Sequence, residues 1–450
     1  MKRACKWVSM GFIAAVYVIS AAAATWAAPQ DQQQQKPNYT LAEYNAYQAA
    51  HNEKDPQMRL KDLDDFSMKF PGSALMLYID GDYYRTYYAL KNYPKTIEYV
   101  DKILALPDLA KPEQIGTRLE ALGYRSQAML YGSGEKDLQT PDAYTKAKEA
   151  SALGLQTLNQ WQKPQGQTDE QFANTKKGLG VLFNSVAGIA ESGLKDYKSA
   201  ADSYKAVLVL DPTDAVTHFR LGVAYLQQMP ADAPNGFWEL SRSIALKGPG
   251  EPQVRTYLRN QLLHYQQPSC DKLADDEMNQ MITLAGTSTD RPASLTIPSA
   301  ADLQTARDDT ANFLPWLQEG GDHGRVMWLA TCGLEYPDVG VKVLDIMPGD
   351  NDSFTLKVYR PAAAEADAAA KEMDAATMPN MEVHIAAQPD VKRLMKDDAV
   401  RFTGTLKDYQ QSPFMLVWDN AKVNPEDLQP APSGGKRPPA RTAAPKRPGA

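Results

Sequence analysis

Gly188 and Gly222 stand 34 residues apart, each inside a stretch whose apolar residues recur at helical spacing. A glycine on the packed face of a helix lets a second helix approach closely, because no Cβ stands in the way. Ala200 is a further small residue at that spacing, and Tyr204 and Tyr225 are large enough to fill the space between crossing helices. Pro212 stops the helix before it, since it brings no N–H and clashes with the preceding turn. A helix pair of this length cannot bury its apolar face alone and must stack on neighbours. The stretch 181–225, with Leu221 beside Gly222, therefore commits its part of the chain to a solenoid.

Helical spacing runs from Tyr39 to Gln266, broken by Pro and Gly at short intervals. Asn92-Tyr93, Thr96, Val100 and Ile103 repeat the pattern of Asp196-Tyr197, Ala200, Tyr204 and Val207. On Gly188, Ala200, Tyr204, Pro212, Leu221, Gly222 and Tyr225 the chain resembles the tetratricopeptide repeat (TPR) family. About five helix pairs and a closing helix, Glu251 to Gln266, are expected. The resemblance implies a groove lined by the first helix of each pair. Its candidate residues are Val186, Ile189, Val216, Phe219, Arg220 and Val223, joined by Arg255 and Arg259 if the stack continues. The implied partner is a protein or peptide. Ser185 and Ile189 stand where the carboxylate-clamp subclass carries Lys and Asn, so that subclass is not matched.

The two ends of the chain have a different composition. Lys2, Arg3 and Lys6 precede an apolar run from Trp7 to about Ala24, closed by small residues with Ala22-Ala23-Ala24 or Thr25-Trp26-Ala27 as cleavage sites. That order predicts a signal peptide over 1–27, and a periplasmic or secreted body of bacterial type. An uncleaved signal anchor is the alternative and would be the one contact with a membrane. Residues 28–38 are Gln-rich and read as a flexible linker. An oxidising compartment permits Cys270 and Cys332, the two cysteines beyond the signal, to pair. The formal charge of −7 becomes about −10 without Lys2, Arg3 and Lys6, which excludes nucleic acid as a global partner. Residues 429–450 carry Lys436, Arg437, Arg441, Lys446 and Arg447 and no acid. They read as a disordered, Pro-rich basic tail that could reach an anionic envelope polymer.

Residues 267–335 read as a transition of helix and loop, with helices expected at Leu273–Leu284 and Ala300–Leu317 and loops at 286–298 and 320–324. From Gly340 the apolar period changes to two: Val341, Val343 and Ile346; Phe354, Leu356 and Val358; Met381, Val383 and Ile385; Val400, Phe402 and Gly404; Phe414, Leu416 and Trp418. A short helical patch, Asp390 to Met395, separates the third strand from the fourth. This order over 336–428 resembles an OB-type barrel. The expected fold class is thus an α-solenoid of TPR-like helix pairs followed by a small all-β, OB-like barrel. Between Val339 and Asp427 stand ten Lys and Arg against fifteen Asp and Glu, the wrong balance for a nucleic-acid backbone. A glycan remains open, with Tyr359, Tyr409 and Trp418 as stacking surfaces.

Residues for catalysis or cofactor binding do not converge in the sequence. The five histidines are scattered without a metal-gripping pair on one helix face, so no metal and no cofactor is expected. Gly178-x-Gly180-x-x-Phe183 lacks the third glycine and the preceding strand of a phosphate loop. Asp350-Asn351-Asp352 puts Phe354 where a calcium loop needs oxygen, and reads as a hairpin turn. The expectation is an exported scaffold that binds protein or peptide partners in the cell envelope without catalysis. The alternative is an envelope glycan- or polymer-binding module acting through the barrel and the tail.

Overall fold

The computed structural model describes residues 38–363 and 365–428. The expected signal peptide, the linker apart from Asn38, and the tail from 429 onward lie outside the described residues. The chain divides into two compact units, one ending at Arg255 and the other beginning at Thr256.

The first unit is all-helical: α1 (Leu41–Asn52), α2 (Pro56–Lys69), α3 (Met76–Ala89), α4 (Tyr93–Leu104), α5 (Ile115–Tyr131), α6 (Pro141–Gln160), α7 (Asp169–Gly193), α8 (Tyr197–Leu210), α9 (Ala215–Gln227) and α10 (Ala233–Ala245). Each helix packs on the next, and α1–α3, α3–α5 and α5–α7 also touch, so the first helices of successive pairs form one layer. This is a TPR-like stack of helix pairs. Polar caps separate the elements: Asp196, Asp214 and Asp232 accept from backbone N–H groups in the first turns of α8, α9 and α10. Before α4 and α8 the same turn recurs, with Lys91 and Lys195 at φ +57° and +63°. The next residue then donates its N–H back into the preceding helix, Asn92 to Tyr87 O and Asp196 to Glu191 O.

The glycines of the repeat lie at close helix crossings. A Cβ on Gly222 would lie 2.9 Å from the Gly236 carbonyl oxygen and 2.9 Å from Leu240 Cγ, so α9 and α10 cross nearly backbone to backbone. Gly188 faces the ring of Tyr204, whose Cζ would be 2.7 Å from an added Cβ. Tyr204 is buried and packs with Ala200, Ala201, Leu221 and Ala224. Burying an apolar side chain of that size stabilises by roughly 1.5–3 kcal/mol. Gly178 and Gly180 lie inside α7 rather than on a loop, so they frame no phosphate site.

The division between the units falls inside α11 (Glu251–Gln266). The second unit continues with α12 (Asp271–Thr287), α13 (Ala300–Asp308), α14 (Phe313–Glu319) and α15 (Gly321–Thr331). The single helix expected over 300–317 is two, because the Asp309 carboxylate accepts from the Asn312 backbone N–H at 3.1 Å and its side-chain amide at 2.8 Å, turning the chain. The loop expected at 320–324 is instead the start of α15. Gln411 donates to Glu319 O at 3.1 Å and the Tyr409 hydroxyl to Leu317 O at 2.6 Å, holding the α14–α15 corner. Cys270 and Cys332 are joined by a disulfide between the start of α12 and the end of α15. Ser269 donates to Ala330 O at 2.7 Å beside it.

Five strands follow: β1 (Glu335–Pro348), β2 (Phe354–Tyr359), β3 (Met381–Ile385), β4 (Ala399–Gln411) and β5 (Phe414–Val423), with α16 (Ala366–Ala375) between β2 and β3. They close a barrel in the order β1-β2-β3-β5-β4, in which only β3 and β5 run parallel. The 3₁₀ turn Pro389–Arg393 sits between β3 and β4, where the sequence places a helical patch. Asn351 and Asp352 adopt positive φ in the β1–β2 hairpin turn. Alternate residues face inward, among them Val341, Val343, Leu356, Val358, Val383, Phe402 and Trp418. Leu303, Leu314, Leu317, Met327 and Leu329 join the same core, so α13, α14 and α15 are built onto the barrel.

Candidate functional site

Asp55 caps α2 and Pro56 begins it, which sets Asp64, Ser67 and Met68 along one face by three- and four-residue spacing. Met76, Asp80 and Tyr83 repeat that spacing on α3, and Tyr99 and Lys102 do so on α4. These eight residues line an open groove of about 520 Å3 in the first unit. Its floor is aromatic: the Tyr83 and Tyr99 rings stack at 4.3 Å, and Tyr87 stacks on Tyr99 at 5.5 Å. Met68 at the rim is 73% exposed.

The groove carries two carboxylates, Asp64 and Asp80, and the ammonium of Lys102. Asp64 accepts the Tyr83 hydroxyl at 2.6 Å, which fixes it against the floor. Burial pushes the Asp80 carboxyl up, and Lys102 pulls it partly back. Lys102 belongs to the groove as well: its ammonium lies 3.8 Å from the centre of the Tyr99 ring on the floor and pairs with Glu98 at 3.1 Å. Burial, followed by Tyr87 and Glu98, pushes the Tyr99 hydroxyl up to about 12, and burial raises Tyr83 as well, so both rings stay neutral at physiological pH. A surface with apolar rings, an exposed thioether and two carboxylates suits a peptide that brings an apolar anchor and a basic group.

The groove expected from the sequence lay further along, on α7 and α9. Ile189, Val216, Phe219, Arg220 and Val223 are half-buried there. Val186 corrects that reading: it is buried at 2% exposure with Met129, Leu138, Ala147 and Ala190. The cause is that α7 is covered by α5 and α6 as well as by α8, which turns this face of the helix inward. Arg259 is likewise not open to a groove, since it makes a two-toothed pair with Asp275 of α12. Arg255 lies 3.5 Å from Glu251. Sequence reasoning missed the 64–102 groove because its residues come from second helices as well as first ones. The visible signal was the run of tyrosines at 83, 84, 87, 88, 93 and 99, too many for one core.

The histidines have separate neighbours. His51 pairs with Asp82 at 2.8 Å, buried His218 lies between Glu239 and Pro212 O, and His323 stacks on Trp316. His384 on the barrel lies 2.8 Å from Glu382 and 2.7 Å from Asp419. Among the described residues no group of three or more His, Cys, Asp or Glu is arranged to hold a metal ion. Of the three aromatic residues offered as a glycan surface, Trp418 is core at 1% exposure, while Tyr359 and Tyr409 are half-buried.

No protein-family model matches the chain. No curated protein matches it either. Among solved structures, the chain is similar to the C-terminal part of a TPR repeat-containing protein from Cytophaga hutchinsonii. The match covers 55% of this chain and 95% of that one, with 14% identity and a TM-score of 0.27. The helix-pair architecture stated above rests on the packing and caps of this chain's own residues.

Proposed function

We propose that the chain is an exported, non-catalytic scaffold whose helix-pair unit holds a peptide segment of a partner protein. The observation that carries this reading is the open groove between α2, α3 and α4, where exposed Met68 and the Tyr83–Tyr99 stack lie beside Asp64 and Asp80. Stacked helix pairs present extended surfaces of this kind, and the rigid rings offer contact area at low cost in side-chain entropy. Export is proposed on the order of basic, apolar and small residues over 1–27, and it agrees with the use of cysteine in a disulfide.

The test is capture of partners from envelope extracts by the full-length protein, read against a Met68→Glu, Tyr99→Ala double variant. Met68 is exposed and Tyr99 half-buried, so the variant should fold as judged by its circular dichroism. Partners retained by the wild type and lost by the variant support the reading. Identical retention by both proteins removes the groove from it.

A further inference from the structure

A second feature lies in the barrel unit and is independent of the helical groove. Arg360 follows the last residue of β2. Its backbone is fixed by Asn380, which accepts from Arg360 N at 2.9 Å and donates to Arg360 O at 2.7 Å. Asn380 is itself buried at 6% exposure and is held by its N–H to Val358 O at 3.1 Å. The guanidinium is thus positioned by the sheet. It reaches one backbone acceptor, Gly340 O, at 3.3 Å.

Among the described residues no carboxylate pairs with this guanidinium, although the other barrel arginines have such partners: Arg393 with Asp390, and Arg401 with Glu426 and Asp427. Glu372 of α16 accepts from Ala362 N at 2.9 Å. Burial lowers the basicity of Arg360, with no acid acting against it. Arg360 is half-buried, so its guanidinium is open to an incoming anion while its partly enclosed surroundings strengthen the attraction.

Arg360 borders a cavity of about 10 Å3, room for one water-sized group. Arg360 lines it together with Phe313, Tyr336, Val339, Met381 and Trp418. Each of these five is less than a tenth exposed. Trp418 is also one of the few described residues with an orphaned donor, since its Nε1–H is buried and has no acceptor. One orphaned neutral donor and one half-buried cation without a carboxylate partner therefore belong to residues that line a single small cavity, the rest of whose lining is largely apolar.

We propose that this cavity receives one oxygen of a carboxylate, with the Arg360 guanidinium holding the second oxygen and the Trp418 Nε1–H donating to the first. A planar carboxylate matches the fork of an arginine, and one of its oxygens fills a water-sized space. A tetrahedral phosphate or sulfate matches a planar arrangement of the two donors less well than a carboxylate does. The carboxylate belongs to a small free acid or to the C-terminus of a peptide, and the experiment separates the two.

Full-length protein is titrated calorimetrically with acetate, with a tripeptide carrying a free C-terminus, with the same tripeptide amidated, and with inorganic phosphate. Saturable heat with acetate or the free tripeptide, and none with the amide, is expected. Acetate alone identifies a free acid, and the tripeptide identifies a chain terminus. Arg360→Met should weaken binding by tenfold or more, as loss of a charge-assisted pair does. Trp418→Phe keeps an aromatic ring and removes the Nε1–H, and should weaken binding severalfold; circular dichroism checks that each variant folds, and either variant that folds tests the proposal. Absence of saturable heat with every carboxylate overturns the proposal. So does tighter binding of phosphate, or affinity unchanged in both variants.

Discussion

Two glycines on helices of the same unit, Gly222 and Gly178, separate helix packing from helix propensity. Both are interior to a helix, so an alanine at either gains roughly 0.8–1.0 kcal/mol of intrinsic preference. At Gly178 an added Cβ meets nothing within 4 Å, so the gain stands. At Gly222 it meets the Gly236 carbonyl at 2.9 Å, and backbone cannot swing aside as a side-chain end can. Overpacking of that kind costs about 1–3 kcal/mol. The propensity gain cancels between the two variants, so Gly178→Ala should exceed Gly222→Ala in stability by about 1–3 kcal/mol. Gly236→Ala should fall between them, because its nearest neighbour is the Leu226 side chain at 2.7 Å, which can move. Urea unfolding of the full chain, followed by helical circular dichroism, measures all three. Equal midpoints for Gly178→Ala and Gly222→Ala would show that α9 and α10 do not cross where the structure puts them.

The disulfide and the barrel histidine give two further expectations. Cys332→Ser opens a bridge of sequence separation 62, which the chain-entropy treatment values at about 4 kcal/mol, so the second unit should unfold at lower urea. Wild type with the same midpoint in the presence and absence of reductant would contradict this. Burial works against protonation of His384, but the hydrogen bonds to Glu382 and Asp419 outweigh it and raise its pKa above 6.5. The charged ring therefore adds stability that is complete below 6.5 and disappears as pH rises through the raised folded value. His384→Gln should lose that pH dependence, and unfolding midpoints on both sides of the window should show a flatter profile. A variant profile parallel to that of the wild type would remove His384 as its source.

The repeat was legible because packing constraints are local. Gly222, Ala200 and Pro212 each state a steric requirement that can be read without knowing the neighbour. The barrel strands were legible through alternation, and the start of β1 at Glu335 rather than Gly340 was not, since Glu335 to Pro337 show no period of two. Contacts between distant residues were hidden. His384 meets Asp419 only because β3 and β5 run side by side, and Arg360 and Trp418 line one cavity only because the barrel closes. Val186 was misread because periodicity gives a helix one apolar face, whereas a helix inside a stack has neighbours on several sides. The groove at 64–102 draws on three helices, a combination that the repeat pattern of any one pair does not contain.

Each of the five strands has a hydrogen-bonded neighbour on either side, β1 being the strand that meets both β2 and β4. Among the described residues no strand of the barrel is therefore an edge strand along its whole length. Sheet extension, the usual way for a β domain to capture an extended segment or to polymerise with its own copies, finds no starting point here. Crowding in a concentrated compartment then carries less risk of fibre formation by this unit. Any molecule that recognises the barrel must read its side chains, and such recognition can be altered by substitution without touching the backbone that holds the barrel closed.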